Sequence, residues 1–345
     1  MKITLIISLI FVLLSCKKKP EENPVPVSAD QGFFIVNEGN YTWGNASLSF
    51  YNENTNEIQN QVFYRTNNVP LGDVAMSMTI ANNKGFIVVN NSGRIYVINP
   101  SDYTHLGSIT GLVSPRQILQ LNNNTALVSD LYDNHITLFD PTSLSKTGSI
   151  DVGYTTESFA LSSNKIFITC WSYNNRVLVM DATTLTITDT IIVGKQPRWI
   201  QTDKNGNVWT LCDGGFPGSP AGYEAPSFYC INATNSEILK RIDFPSAQYA
   251  TYGFDMNKTK DSLYFIRNGI SKMAITDTVF PTTQLISGDG KNFYQVVLHP
   301  SKDELIVTNA ANFSSDGFVY VYSLSGQLLH TAGTGINPGN ICFKE

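Results

Sequence analysis

A phrase of about 40 residues recurs seven times along this chain, and it constrains the fold more than any other feature. Each copy holds a short apolar strand, a polar loop, a second strand ending in Asp or Asn, a third strand often ending in Val-Gly, and a loop into a fourth strand. The clearest copy runs Ile166-Phe167-Ile168, Arg176-Val177-Leu178-Val179-Met180-Asp181, Ile191-Ile192-Val193-Gly194 and Pro197-Arg198-Trp199-Ile200. Asn99, Asp140 and Asp181 follow one another at intervals of 41 residues. Four short strands per repeat is the pattern of a propeller blade. The expected fold class is therefore all-β, a seven-bladed β-propeller.

The phase of the repeat predicts how the ring closes. With A the innermost strand of a blade and D the outermost, each sequence repeat begins on a B strand. B strands are expected near Phe33–Asn37, Gly85–Val89, Ala126–Ser129, Ile166–Cys170, Val208–Cys212, Leu263–Arg267 and Leu305–Asn309. A strands are expected near Ala75–Ile80, Arg116–Leu121, Glu157–Leu161, Arg198–Thr202, Gly253–Met256, Gln295–Leu298 and Gly339–Phe343. The chain thus enters on B and leaves on A, so the last strand should pair with residues 32–37 of the first blade and remove two open sheet edges. Asn52, Asn99, Asp140, Asp181 and Asn232 mark the C–D hairpins, where an Asx side chain can close its own turn. No segment carries sustained helical periodicity.

The N-terminus reads as a leader. Lys2 precedes an apolar stretch, Ile3–Leu14, too short to span a bilayer comfortably, and the segment ends Leu13-Leu14-Ser15-Cys16. This resembles a bacterial lipobox, which implies a signal peptide over residues 1–15 and lipidation of Cys16. Residues 16–30, rich in Lys, Glu and Pro, read as a flexible tether, and residues 31–345 as the propeller. Acyl chains would then be the membrane anchor. The net charge of −5 and the lack of a basic run beyond Lys17-Lys18-Lys19 argue against a nucleic-acid partner.

The repeats resemble those of YVTN or YncE-type seven-bladed propellers, best over residues 165–200. The opening Gly32-Phe33-Phe34-Ile35-Val36-Asn37-Glu38-Gly39-Asn40, with Ala46-Ser47-Leu48-Ser49-Phe50-Tyr51, is similar to Bacteroidetes surface propeller lipoproteins that include the BtuG cobalamin-capture family. The resemblance implies an outer-membrane, lipid-anchored, surface-exposed monomer that binds a small molecule, with a corrinoid the sharpest candidate, for delivery to an outer-membrane transporter. The alternatives are a protein-interaction scaffold or an accessory subunit of a TonB-dependent transporter, and less favoured, a lactonase- or lyase-like enzyme. The stretch Cys16-Lys17-Lys18-Lys19-Pro20-Glu21-Glu22 also resembles the acidic export signals that follow the lipidated Cys of such lipoproteins. Asp189-Thr190-Ile191, Asp261-Ser262-Leu263 and Asp277-Thr278-Val279 resemble their O-glycosylation triplets.

In a propeller the B–C and D–A loops share the face around the funnel mouth, and here they are rich in aromatics. Tyr41, Trp43, Tyr132, Trp171, Tyr173, Phe216, Tyr223 and Phe313 fall in B–C loops; Arg116, Tyr154, Arg198, Tyr249, Tyr252, Phe293 and Tyr294 fall in D–A loops or open A strands. Rigid aromatics among Asn and Gly have the composition of a binding surface. The expected ligand-binding set is Tyr41, Trp43, Arg116, Tyr132, Trp171, Tyr173, Arg198, Phe216, Tyr223, Tyr252, Tyr294 and Phe313. The longest of these loops is Asp213–Pro226. No catalytic residue, cofactor or metal is expected. Of His105, His135, His299 and His330, only His135, with Asp130 and Asp133 nearby, could face the funnel. Cys170, Cys212, Cys230 and Cys342 show no CxxC spacing and read as isolated thiols, with a Cys212–Cys230 disulfide as the alternative.

Overall fold

A computed structural model describes residues 31–247 and 251–344. The expectations for the leader, Cys16, the tether and Tyr249 lie outside the described residues. The described chain forms seven antiparallel sheets around one axis, a seven-bladed β-propeller. Blade one is Pro338–Lys344, Gly32–Asn37, Ser47–Asn52 and Glu57–Gln59 from the axis outward. Blade four, the clearest repeat in the sequence, is Phe159–Ser162, Lys165–Cys170, Arg176–Asp181 and Ile187–Ile192.

The closure follows the expected phase. Residues 338–344 pair antiparallel with 32–37, with Phe33 opposite Phe343 and Ile35 opposite Ile341. One blade departs from the repeat. Blade six has three strands, Phe254–Met256, Ser262–Ile266 and Ile270–Ala274, and in place of a D strand an irregular segment returns to the sheet only through an Ile270–Ile286 bridge. That segment carries Pro281, which lacks an N–H for a ladder, and it packs Phe280 and Ile286 against the core as separate anchors rather than as one face of a strand. The other departure is a short helix, Val62–Asn67, between blades one and two, which drops Val62 and Phe63 into the core.

Burial explains why alternation is weak in the sequence. The B strands Gly32–Asn37 and Val208–Cys212 are buried along their whole length, because a blade faces a neighbour on each side. The D strand Ser145–Asp151 is almost wholly exposed. The core is correspondingly divided into inter-blade layers. One holds Phe34, Leu48, Phe50, Phe63, Ile87 and Tyr103 between blades one and two.

The Asx signal at the C–D hairpins acts as expected. The side-chain oxygens of Asn52, Asn99, Asp140, Asp181 and Asn232 accept the backbone N–H two residues on, at 2.7–3.0 Å. The Thr142 N–H holds the Asp140 carboxyl below its ordinary range, and the Thr184 and Thr183 N–H groups do the same for Asp181. Among the described residues, Cys170, Cys212, Cys230 and Cys342 are free thiols. Cys212 lies opposite Ser227 while Cys230 lies opposite Trp209, so the two are three positions out of register and cannot bridge.

Candidate ligand-binding face

The funnel floor is built by the residues at which the A strands begin. Arg116 follows Pro115, the first residue of the inner strand of blade three, Glu157 and Ser158 precede blade four, and Arg198 follows Pro197, the first residue of the inner strand of blade five. A repeated device sets them. A buried hydroxyl in the preceding blade holds the backbone carbonyl of each: Ser77 on Arg116 at 2.6 Å, Ser129 on Glu157 at 2.6 Å, and Thr169 on Arg198 at 3.3 Å. Thr308 holds Pro338 the same way at 2.6 Å, across the closing seam.

These tethers assemble a buried ionic knot. The Nε and Nη2 of Arg116 donate to the two carboxylate oxygens of Glu157, both at 2.7 Å. Arg116 is 4% exposed and Glu157 2%. Arg198 approaches the same carboxylate from the other side, its Nε 3.5 Å from Oε1. Burial alone would lower the Arg116 pKa, but the Glu157 charge and hydrogen bonds leave it raised. Across the floor Tyr294 donates to Glu38 at 3.0 Å. Burial pushes the Glu38 carboxyl up, with Arg198 opposing.

Trp171 lies over this knot. Its ring sits 4.7 Å from the Arg198 guanidinium and 5.7 Å from that of Arg116, and its indole N–H donates to Asp213 at 2.7 Å. Burial raises the Asp213 carboxyl, against the pull of the Gly215 and Trp171 donors. Arg198 is also 4.7 Å from the Trp199 ring, so its cation is held between two indoles.

Above Trp171 a cavity of about 220 Å³ opens on the funnel face, lined by Tyr132, Trp171, Tyr173, Gln196, Asp213 and Phe216 among others. Four of the aromatics expected from the sequence, from the B–C loops of three consecutive blades, therefore share one wall. Tyr132 is 71% exposed, and Tyr173 and Phe216 are also exposed. Tyr173 and Phe216 meet edge to face with centroids 6.4 Å apart. Tyr173 has φ 51° and Gln196 φ 55°, left-handed conformations that cost a bulky residue energy. The same conformation recurs at turns elsewhere in the ring, among them Leu144 and Leu185. Gln196 is buried in the wall and was not singled out from sequence; only its place in the Val-Gly-x-x-Pro turn marks it.

The remaining expected residues divide into two groups and an outlier. Tyr252, Tyr294 and Phe313 stack on one another at 5.3–6.5 Å over blades six and seven. Tyr41 and Trp43 stand out from blade one, Trp43 at 77% exposure, on a loop held by Asp73 accepting from the Thr42 N–H. Tyr223 turns back and donates to the Ala247 carbonyl. Arg116 is sealed beneath Trp171 rather than presented to solvent.

Below the floor the channel continues, lined by Gln117, Ser158, Gln295, Asn340 and Asp255 among others. Asp255 accepts from the backbone N–H groups of Met256 and Leu298 at 2.8 and 2.9 Å, and burial pushes its carboxyl up to about 6. His135 pairs with Asp133 at 2.8 Å, while Asp130 turns inward to accept from the Ser114 N–H at 2.8 Å, so the three make loop hydrogen bonds rather than one cluster. Among the described residues, no group of three or more His, Cys, Asp or Glu side chains is placed to hold a metal ion.

The fold, with its polar channel and aromatic mouth, is that of a seven-bladed β-propeller. Residues 31–332 match the DUF5074 family, described as a domain of unknown function, and the chain belongs to that family. No curated protein matches. Among solved structures it is similar to a quinonprotein alcohol dehydrogenase-like protein from Bacteroides thetaiotaomicron, at 19% identity and TM-score 0.70 over 90% of this chain and 78% of that one. It is also similar to a functionally unknown protein from Desulfotomaculum acetoxidans, at 14% identity and TM-score 0.67 over 91% and 99%. Hydrazine synthase from Kuenenia stuttgartiensis matches at 11% identity and TM-score 0.61 over 78% and 89%. At these identities the likeness is one of fold.

Proposed function

We propose that this protein is a lipid-anchored, non-enzymatic capture protein that binds a ligand on its funnel face, and that the ligand is a corrinoid passed to an outer-membrane transporter. The observation that carries the reading is the cavity where Tyr132, Trp171, Tyr173 and Phe216 converge over the Arg116–Glu157–Arg198 knot. A corrin is broad, flat-faced and ringed with amides. Exposed aromatic faces offer it stacking area, and Gln196 and Asp213 offer polar contacts in the same wall. The resemblance of the opening strands and the lipobox at Cys16 support the anchoring and the ligand class.

Calorimetry of the purified chain against a corrinoid panel tests the ligand. Tyr132→Ala and Tyr173→Ala should each weaken binding at least about tenfold, with little change in melting temperature, because both rings are already in solvent. His105→Ala, on the outer strand of blade two, should change neither. No heat with any corrinoid would remove the ligand class. Equal loss from His105→Ala would move the site off this face. Cys16→Ala should release the protein from membranes; its retention in the membrane pellet would overturn the anchor.

The exposure of Tyr41 and Trp43 favours a second reading, a docking contact with a partner protein such as the transporter. Co-purification of the transporter that is lost in Trp43→Ala, with corrinoid binding unchanged, would support it.

A further inference from the structure

A further cavity lies away from the funnel floor, at the seam where the ring closes. It measures about 350 Å³, within the range of about 300–1,000 Å³ typical of small-molecule sites. One wall comes from blade one and the connection after it, the other from the ends of two strands of blade seven. Its buried lining is mainly apolar: Leu48, Phe63 and Leu71 are core residues, buried to within 2% or less, and the equally buried Thr334 spends its hydroxyl on the Gly335 carbonyl. Its outer part carries Tyr64, exposed, and Ile336.

Asp316 is the one charged residue of the lining. It opens the third strand of blade seven, opposite Ile336, and its side chain is exposed. Among the described residues its carboxylate accepts no hydrogen bond and forms no ion pair. The cavity therefore combines an apolar floor, an aromatic side and a single unneutralised negative charge at the edge. A cation on a short apolar body satisfies all three, since the charge stays near water while the body packs along the exposed Tyr64 ring toward the apolar end. An anionic molecule would meet Asp316 unfavourably, and a neutral apolar one would leave the carboxylate unused.

We propose that this seam cavity is a second binding site, distinct from the funnel-face site, that takes a small amphipathic primary amine with its ammonium on Asp316 and its apolar part along the Tyr64 ring toward Leu48, Phe63 and Leu71. Because its walls belong to blades one and seven, the bound molecule also ties the closing seam, and its binding raises the melting temperature by linkage.

The test uses phenethylamine as probe, with 2-phenylethanol and phenylacetate as neutral and anionic controls, titrated calorimetrically into the purified full-length chain. Saturable phenethylamine binding is expected with a Kd of about 1 mM or tighter. Asp316→Asn should weaken it roughly fivefold, the scale of a partly exposed ion pair, and 2-phenylethanol should bind as weakly to the native protein as phenethylamine does to the variant. Tyr64→Ala should also weaken it, and provides an independent check if Asp316→Asn folds poorly. Tyr173→Ala should leave it unchanged, which keeps this site's outcome separate from that of the funnel face. Absence of saturable binding, or equal affinity for the amine and the alcohol, or no effect of Asp316→Asn and Tyr64→Ala together, overturns the proposal.

Discussion

Glu157 is the residue on which the funnel floor turns. It neutralises Arg116 and faces Arg198, and both guanidinium groups also meet the Trp171 ring. Removing one member of a buried ion pair leaves its partner charged and unsolvated, which costs about 3–5 kcal/mol. Glu157→Ala should therefore destabilise the protein by that order in denaturant unfolding. Glu157→Gln should cost less, because the amide oxygen still accepts from one guanidinium donor. A cost below about 1 kcal/mol for Glu157→Ala would mean that water reaches Arg116 freely. Asp255 makes the opposite case. Its folded pKa, about 6, lies above the ordinary carboxylate value of 3.8, so the native state binds the proton more tightly than the unfolded state. Its ionisation costs stability above pH 6, and that cost fades as pH falls through 6 towards 4. Asp255→Asn should raise stability at pH 8 by about 1–3 kcal/mol and make no gain near pH 4. A gain independent of pH would show that ionisation is not the cause. Arg116 and Arg198 were legible in the sequence because cations at strand starts in a funnel invite attention. Glu157 and Glu38 were not, because one carboxylate among 28 acidic residues shows its partner only once the blades are placed in a ring.

At the scale of the strand, most of the fold was legible because each repeat carries the same physical marks. An Asx residue closes each of five C–D hairpins, and a run of apolar residues fills each doubly covered B strand. Blades six and seven both lack the Asx mark; blade seven keeps its four strands, whereas in blade six the expected four-strand phrase gives way to three strands and a loop. The hydroxyl tethers were visible only as Ser or Thr in B-strand runs such as Val128-Ser129-Asp130, Ile168-Thr169-Cys170 and Val307-Thr308-Asn309. A buried Ser or Thr in an apolar strand looks like an incidental polar residue until its partner in the next blade is seen. Ser129 donates to the Glu157 carbonyl at 2.6 Å and accepts the Gln117 N–H at 3.0 Å. Ser129→Ala should cost about 1–3 kcal/mol, since both backbone groups lose a partner where water does not enter. It should also loosen the Arg116–Glu157 pair. Crystallography of the variant is the direct check, and an unmoved Glu157 backbone would show that the tether follows the site rather than setting it.

For the whole molecule, the question is what keeps a ring of weakly connected blades shut. Each blade touches only its neighbours, so the seam carries the load that covalent continuity carries elsewhere. Here blade one is completed by the last strand of the chain, and two further contacts reinforce it. Thr308 of blade seven holds the Pro338 carbonyl. On the opposite face, His299 after the inner strand of blade seven lies 2.8 Å from Glu53 in the C–D turn of blade one, and Lys302 adds a 2.9 Å contact to the same carboxylate. The His299 Nδ1 accepts the Ser301 and Lys302 N–H groups, which leaves Nε2 to donate to Glu53, and the ring packs edge-on against Phe343 at 4.8 Å. Deleting residues 339–345 would strip the inner strand from blade one, expose the backbone donors and acceptors of Gly32–Asn37, and uncover Phe33 and Ile35, which are buried against Phe343 and Ile341. The truncated chain should melt well below the intact one and aggregate through that edge, as read by calorimetry and light scattering. His299→Ala should lower the melting temperature without aggregation, because it breaks the latch but leaves the strand in place. If the truncated protein stays monomeric with an unchanged midpoint, the ring is held by its inter-blade cores alone and the seam is not its weak point.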